Sequence, residues 1–263
     1  MPADSLQENG GRIRRVIARI PPRGAPRKIN LMLARPNALR MLERFDDTSL
    51  AALREMIEAS EFRTTIEHEA ALLGPGVIRK LHGFGIKIRS VGAKDRITEL
   101  SAVIKRFGIA PPPGCQGLYV PFDKALYIIV PMAGVTAHEL GHALDHALCL
   151  VQIPDGFDPL TASLSECERV RPFRTQQDAS FAKRVVGNRQ AISAYAATNL
   201  QEAWAEQVRA LTNCNDTGNL FDELSAAKYR AINRESYAFT LGIFLELNGR
   251  AFERWRHADV IAA

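Results

Sequence analysis

Several features that would place a protein quickly are missing from this 263-residue chain. No apolar run is long enough to cross a bilayer. The longest uncharged apolar stretch, residues 125–137, contains Pro131 and Gly134 and falls well short of the roughly 18–20 residues a spanning helix needs. The N-terminus lacks the apolar core of about 7–15 residues and the small-residue cleavage site of a secretory leader. The expected address is therefore the cytoplasm, or delivery as an effector by a route that needs no such leader. Cysteine is sparse. Cys115, Cys149, Cys167 and Cys214 stand 34, 18 and 47 residues apart, so there is neither a CxxC pair nor zinc-ribbon spacing, and isolated buried thiols are expected. No repeat of 20–50 residues is visible, which argues against a solenoid.

What remains is ordinary globular composition, 46% hydrophobic and 24% charged. The net charge of +5 is unevenly placed: nine basic and two acidic residues give residues 1–42 a charge of +7 and leave −2 for the rest. Residues 1–35, with Pro21, Pro22, Gly24 and Pro26, read as a basic, solvated arm. Its partners would be limited to nonspecific contact with nucleic acid or another anionic surface.

Residues 36–76 read as a helical lead-in, with Thr48 or Ser49 as the cap before Leu50, Leu53, Met56 and Ile57, closed by Gly74-Pro75-Gly76. Residues 77–250 read as the main domain and 251–263 as a tail. Within the domain the expected order is helix 77–82, strand 86–91, helix 97–107, then a hairpin of strands 117–121 and 124–130 turning at Phe122-Asp123. Helices follow at 135–150, 177–186, 198–211 and 221–247, with a loop at 155–174. A small sheet among many helices makes the fold class α+β, mainly helical.

The sharpest signal is His138-Glu139-Leu140-Gly141-His142, an HExxH motif on a helix that follows an apolar strand. Side chains four apart share a helix face, so two imidazoles can converge on one tetrahedral zinc. Glu139 lies about 100° round the helix and suits a base acting on metal-activated water. Gly141 costs about 1 kcal/mol in a helix relative to Ala and implies close approach of another element. His146 is about 12 Å along the axis from His138, too far to share its metal, and fits a supporting or helix-end role. Asp145 could accept the free ring N–H of a ligand histidine, or simply be solvated.

A catalytic zinc needs a third protein ligand. The segment from Tyr195 to Glu206 supplies candidates: Leu200, Trp204, Val208 and Leu211 make an apolar stripe, and Glu202, Glu206 and Arg209 a separate one. Glu202 can ligate zinc, or close a capping box with Asn199. Glu206 can orient a histidine. Tyr195 can donate its phenol to an oxyanion, or be a half-buried aromatic.

HELGHALD, followed some fifty residues later by SAYAATNLQEAWAEQVR, resembles the catalytic domain of anthrax lethal factor and its ATLF-type relatives, zincin-like metallopeptidases with HExGHxxD and YxxTNxxEYFAE-like segments. More distantly it resembles the Mlc titration factor A family. The resemblance covers roughly residues 86–211. It implies one zinc per chain held by His138, His142 and Glu202, with Glu139 as base, Tyr195 as transition-state donor, and Asp145 and Glu206 in support. Ala203-Trp204 departs from the family's aromatic pair. The function expected is a zinc-dependent endopeptidase acting on a protein or peptide, with the strand 124–130 offering its edge to the substrate. The alternative is a zinc-stabilised regulator that binds through its basic arm.

Overall fold

The computed structural model describes residues 38–58, 60, 62–91, 115–129, 133–149, 192–193, 195–196, 200–212 and 226–249. The basic arm, the expected helices 97–107 and 177–186, the loop 155–174 and the tail lie outside them. Residues 38–42 are helical, and the elements after them are α1 (Asp47–Met56), α2 (Arg63–Ala71), α3 (Pro75–Phe84), β1 (Lys87–Ser90), β2 (Gly117–Val120), β3 (Ala125–Ile128), α4 (Val135–Cys149), α5 (Leu200–Leu211), α6 (Ala226–Ile232) and α7 (Arg234–Asn248). The fold is α+β, mostly helical with one small sheet. No helix among the described residues is long and apolar enough to cross a membrane.

Local chemistry sets the helix ends. The cap of α1 is Asp46, not Thr48 or Ser49: its Oδ1 accepts the Ser49 N–H at 2.7 Å, which makes Ser49 the third helical residue. α3 is longer than expected because Pro75 starts it and Gly85, in the left-handed region at φ 90°, ends it. Within the described part of the helix expected across 221–247, residues 226–248 form two helices. Between them Asn233 leaves helical geometry, at φ −144°, and its side chain accepts the Ser236 N–H to cap α7.

The sheet order is β1-β3-β2. β2 and β3 form the expected antiparallel hairpin, with a short 3-10 turn at Pro121–Asp123, and β1 pairs parallel with β3, placing Ile88 opposite Leu126. β3 is therefore central, both its edges are paired, and it cannot offer an edge to a substrate. That expectation is corrected; among the described strands, the one beside α4 at the end of the sheet is β2.

Leu126, Ile128, Ile88 and Tyr119 face the main core, while Val91, Val120, Ala125, Tyr127 and Ile129 form a second cluster on the opposite face. The helices before residue 76 share the main core with α4, α5 and α7, so lead-in and domain are packed as one body there. α4 and α5 lie face to face at its centre. At Gly141 they come close: a Cβ there would stand 3.0 Å from the Ala205 backbone Cα and 3.2 Å from the Val208 Cβ. The Trp204 indole, fully buried, donates its N–H to the Gly141 carbonyl at 2.9 Å and sets an edge against Phe239.

The N-terminus of α4 is capped from α2. Glu69, 4% exposed, accepts from the backbone N–H groups of Gly134 (2.8 Å) and Thr136 (2.9 Å). Burial pushes its carboxyl up to about 7, although the two N–H donors and the Arg209 charge pull the other way. An acid whose folded pKa exceeds its unfolded one of 4.5 stabilises most below that unfolded value, and loses the contribution as pH rises to about 7. Glu69→Gln is therefore expected to be less stable than wild type by about 1–3 kcal/mol at pH 5, because an amide leaves one buried N–H opposed by an N–H. That gap should narrow towards pH 7. Urea unfolding at pH 5, 6 and 7 measures both; a gap independent of pH would assign the titration to another group.

Candidate metal centre

His138 and His142 are one turn apart on α4, and their Nε2 atoms lie 3.1 Å apart. Glu202, in the first turn of α5, places Oε2 3.1 Å from the His138 Nε2 and 3.4 Å from that of His142. Three donor atoms from two helices thus form a nearly equilateral triangle. Tetrahedral bonds of about 2.0–2.1 Å put ligand atoms about 3.3–3.4 Å apart, so two imidazole nitrogens and a carboxylate oxygen at these spacings fit zinc in donor type and in size. Among the described residues no other group of histidine, cysteine or carboxylate atoms gathers in this way.

The site is largely buried: His138 is 6% and Glu139 7% exposed. Burial alone would push the His138 ring down, but hydrogen bonds to Glu202 and Glu206 outweigh it and raise the ring to about 10. Burial alone would likewise raise the Glu202 carboxyl, yet His142 and His138 hold it well below the usual carboxylate range.

Glu206, one turn after Glu202 and 2% exposed, takes the other ring nitrogen of His138: its Oε1 is 3.0 Å from Nδ1. Arg209 donates to the same oxygen at 3.1 Å, and the Ser193 hydroxyl donates to Oε2 at 2.8 Å. A bond at Nδ1 leaves Nε2 turned to the triangle. Asp145, offered above for the ring N–H of a ligand histidine, does not take this one. It is 1% exposed, and after burial its charge is the next cause raising the Tyr119 phenol.

Glu139 is packed beneath β2. A Cβ on Gly117 would come within 2.8 Å of its Cγ, so only glycine lets the strand pass this close. Burial raises the Glu139 carboxyl above its ordinary value, and the strand above it continues to Tyr119. The same Tyr119 sends its hydroxyl to the His146 Nδ1 at 2.7 Å, with the Phe84 ring edge-on to the imidazole. His146 is accordingly buried in the core, neither ligand nor solvated helix-end cation, and it ties β2 to α4.

Tyr195 stands beside His138. Its ring lies 5.5 Å from that of His138, and burial followed by the Glu202 charge raises its ionisation. The residues read from the motifs, His138, Glu139, His142, Tyr195, Glu202 and Glu206, therefore meet in one place. Asn199, the capping-box partner considered for Glu202, lies outside the described residues. Sequence reasoning missed Ser193, Glu69 and Tyr119. Ser193 had a local signal, a hydroxyl three residues before the amide of Ala196 that it accepts at 2.9 Å; Glu69 and Tyr119 had none, their partners being distant in the chain.

Comparisons with protein-family models, with curated proteins and with solved structures find no match to this chain.

Proposed function

We propose that this chain is a zinc-dependent endopeptidase of zincin-like type, as its resemblance to lethal-factor-like peptidases implies. The observation that carries the reading is the triangle of His138, His142 and Glu202 donor atoms, with the buried Glu139 carboxylate and the Tyr195 phenol close by. His138, His142 and Glu202 would hold the metal; when bound, it lowers the pKa of water towards about 7 and polarises the scissile carbonyl.

The chain's own groups do the rest. Glu139 removes the proton of the attacking water and returns it to the leaving nitrogen. Its side chain is carried by α4 and packs against β2 at Gly117. Tyr195, neutral because its ionisation is raised, donates its O–H to the oxyanion as the carbonyl becomes tetrahedral. In an antiparallel pair backbone groups alternate in direction. Gln116 bonds Ile129 across the hairpin, so the amides of Gly117 and Tyr119 turn away from β3. That outward edge runs past Glu139 and suits an extended peptide as an added strand.

Two experiments test the proposal. A proteome incubated with zinc-loaded protein should gain new N-termini that are absent when the protein has been stripped with chelator; identical N-terminal maps would reject peptidase activity. Tyr195→Phe should retain metal and lose about 2.7–4 kcal/mol of transition-state stabilisation, read as a lower kcat. An unchanged kcat would remove Tyr195 from the oxyanion site.

A further inference from the structure

We infer that Ser193 is a positioning residue through which metal occupancy at α4 and α5 orders the backbone that carries Tyr195. The inference rests on reading the triangle as a metal site, and it concerns how that site is built. One carboxylate, Glu206, joins the two halves. Its Oε1 accepts from the His138 Nδ1 at 3.0 Å, and its Oε2 accepts from the Ser193 hydroxyl at 2.8 Å. The Ser193 oxygen in turn accepts the backbone N–H of Ala196 at 2.9 Å, and Ala196 directly follows Tyr195.

The chain of contacts therefore runs from a ligand imidazole, through a carboxylate that is 2% exposed, to a hydroxyl that clamps the turn bearing the phenol. Arg209, bonded to Glu206 Oε1 at 3.1 Å, restrains the carboxylate further. The His138 Nδ1 contact at Oε1 helps hold Oε2 towards Ser193, and a metal at Nε2 would fix the ring that makes this contact. Tyr195 has no place on a regular helix or strand: residues 195–196 are a turn. The Ser193 hydroxyl ties this turn to α5 through Glu206.

The test is hydrogen exchange of the Ala196 amide, read residue by residue, with and without zinc in the full chain. Zinc should slow this exchange in wild type. In Ser193→Ala the amide should exchange about 3- to 10-fold faster, the loss of one hydrogen bond, and zinc should no longer slow it. The ligand set is intact in that variant, so zinc uptake should persist. Ser193→Thr keeps a hydroxyl and should restore the zinc effect, which also separates positioning from general loosening if Ser193→Ala proves unstable. In peptide hydrolysis, Ser193→Ala should lower kcat and add little to Tyr195→Phe. Zinc uptake with Ala196 exchange equal in wild type and Ser193→Ala, or Ser193→Thr behaving as Ala, overturns the inference alone; failure of wild type to take up zinc overturns the metal-site reading with it.

Discussion

Glu139→Gln is expected to keep one zinc per chain and to lose peptide hydrolysis by about 10²- to 10⁴-fold, the range for removing a positioned acid–base group. The substitution is nearly isosteric in a site with no spare room, where Gly117 already passes against the Glu139 side chain. The Gln side chain has the size and shape of Glu, so its seat against Gly117 survives. The ligand triangle is made of other residues, so metal content should not change. What disappears is a group able to take a proton. Metal analysis, thermal unfolding and a peptide assay on the same preparation check all three points, and full activity in the variant would remove Glu139 from the reaction.

Trp204→Ala is expected to destabilise the fold by about 3–5 kcal/mol, a large fraction of the roughly 5–15 kcal/mol of a typical domain. Trp204 is fully buried and its N–H bonds the Gly141 carbonyl across the α4–α5 interface. The void cannot close by moving the helices together, because they already meet near Gly141, where even a Cβ would lie 3.0 Å from Ala205. Since the two histidines come from α4 and the carboxylate from α5, zinc affinity should fall with stability. Urea unfolding measures the first effect and zinc titration the second. A loss below about 1 kcal/mol would mean the site relaxes by a route this packing does not offer.

The parts of the site written in local spacing were legible. HExxH puts two imidazoles on one face because a helix repeats every 3.6 residues, and the carboxylate stripe of Glu202 and Glu206 obeys the same geometry. Gly141 pointed to a close approach, and Ala205 makes it. The departure at Ala203-Trp204 left the shape of the neighbouring core open; Trp204 fills it beneath Gly141.

What depends on distant pairing was not legible. Parallel pairing of β1 with β3 makes β3 central, and no hairpin signal announces a parallel neighbour. Glu69 caps a helix 65 residues away, and nothing near it in the chain marks that role. The break at Asn233 was readable in principle, as an Asn three residues before Ser236, but the surrounding helical composition concealed it.

The central claim is that His138, His142 and Glu202 bind one zinc with a coordination position left for water. X-ray absorption at the zinc edge on protein loaded to saturation, compared with Glu202→Gln, tests it most directly. The account predicts one zinc per chain with two imidazole nitrogens and one carboxylate oxygen at about 2.0–2.1 Å, and loss or weakening of that shell in the variant. Protein that takes up no zinc, or a metal shell that Glu202→Gln leaves unchanged, would contradict it.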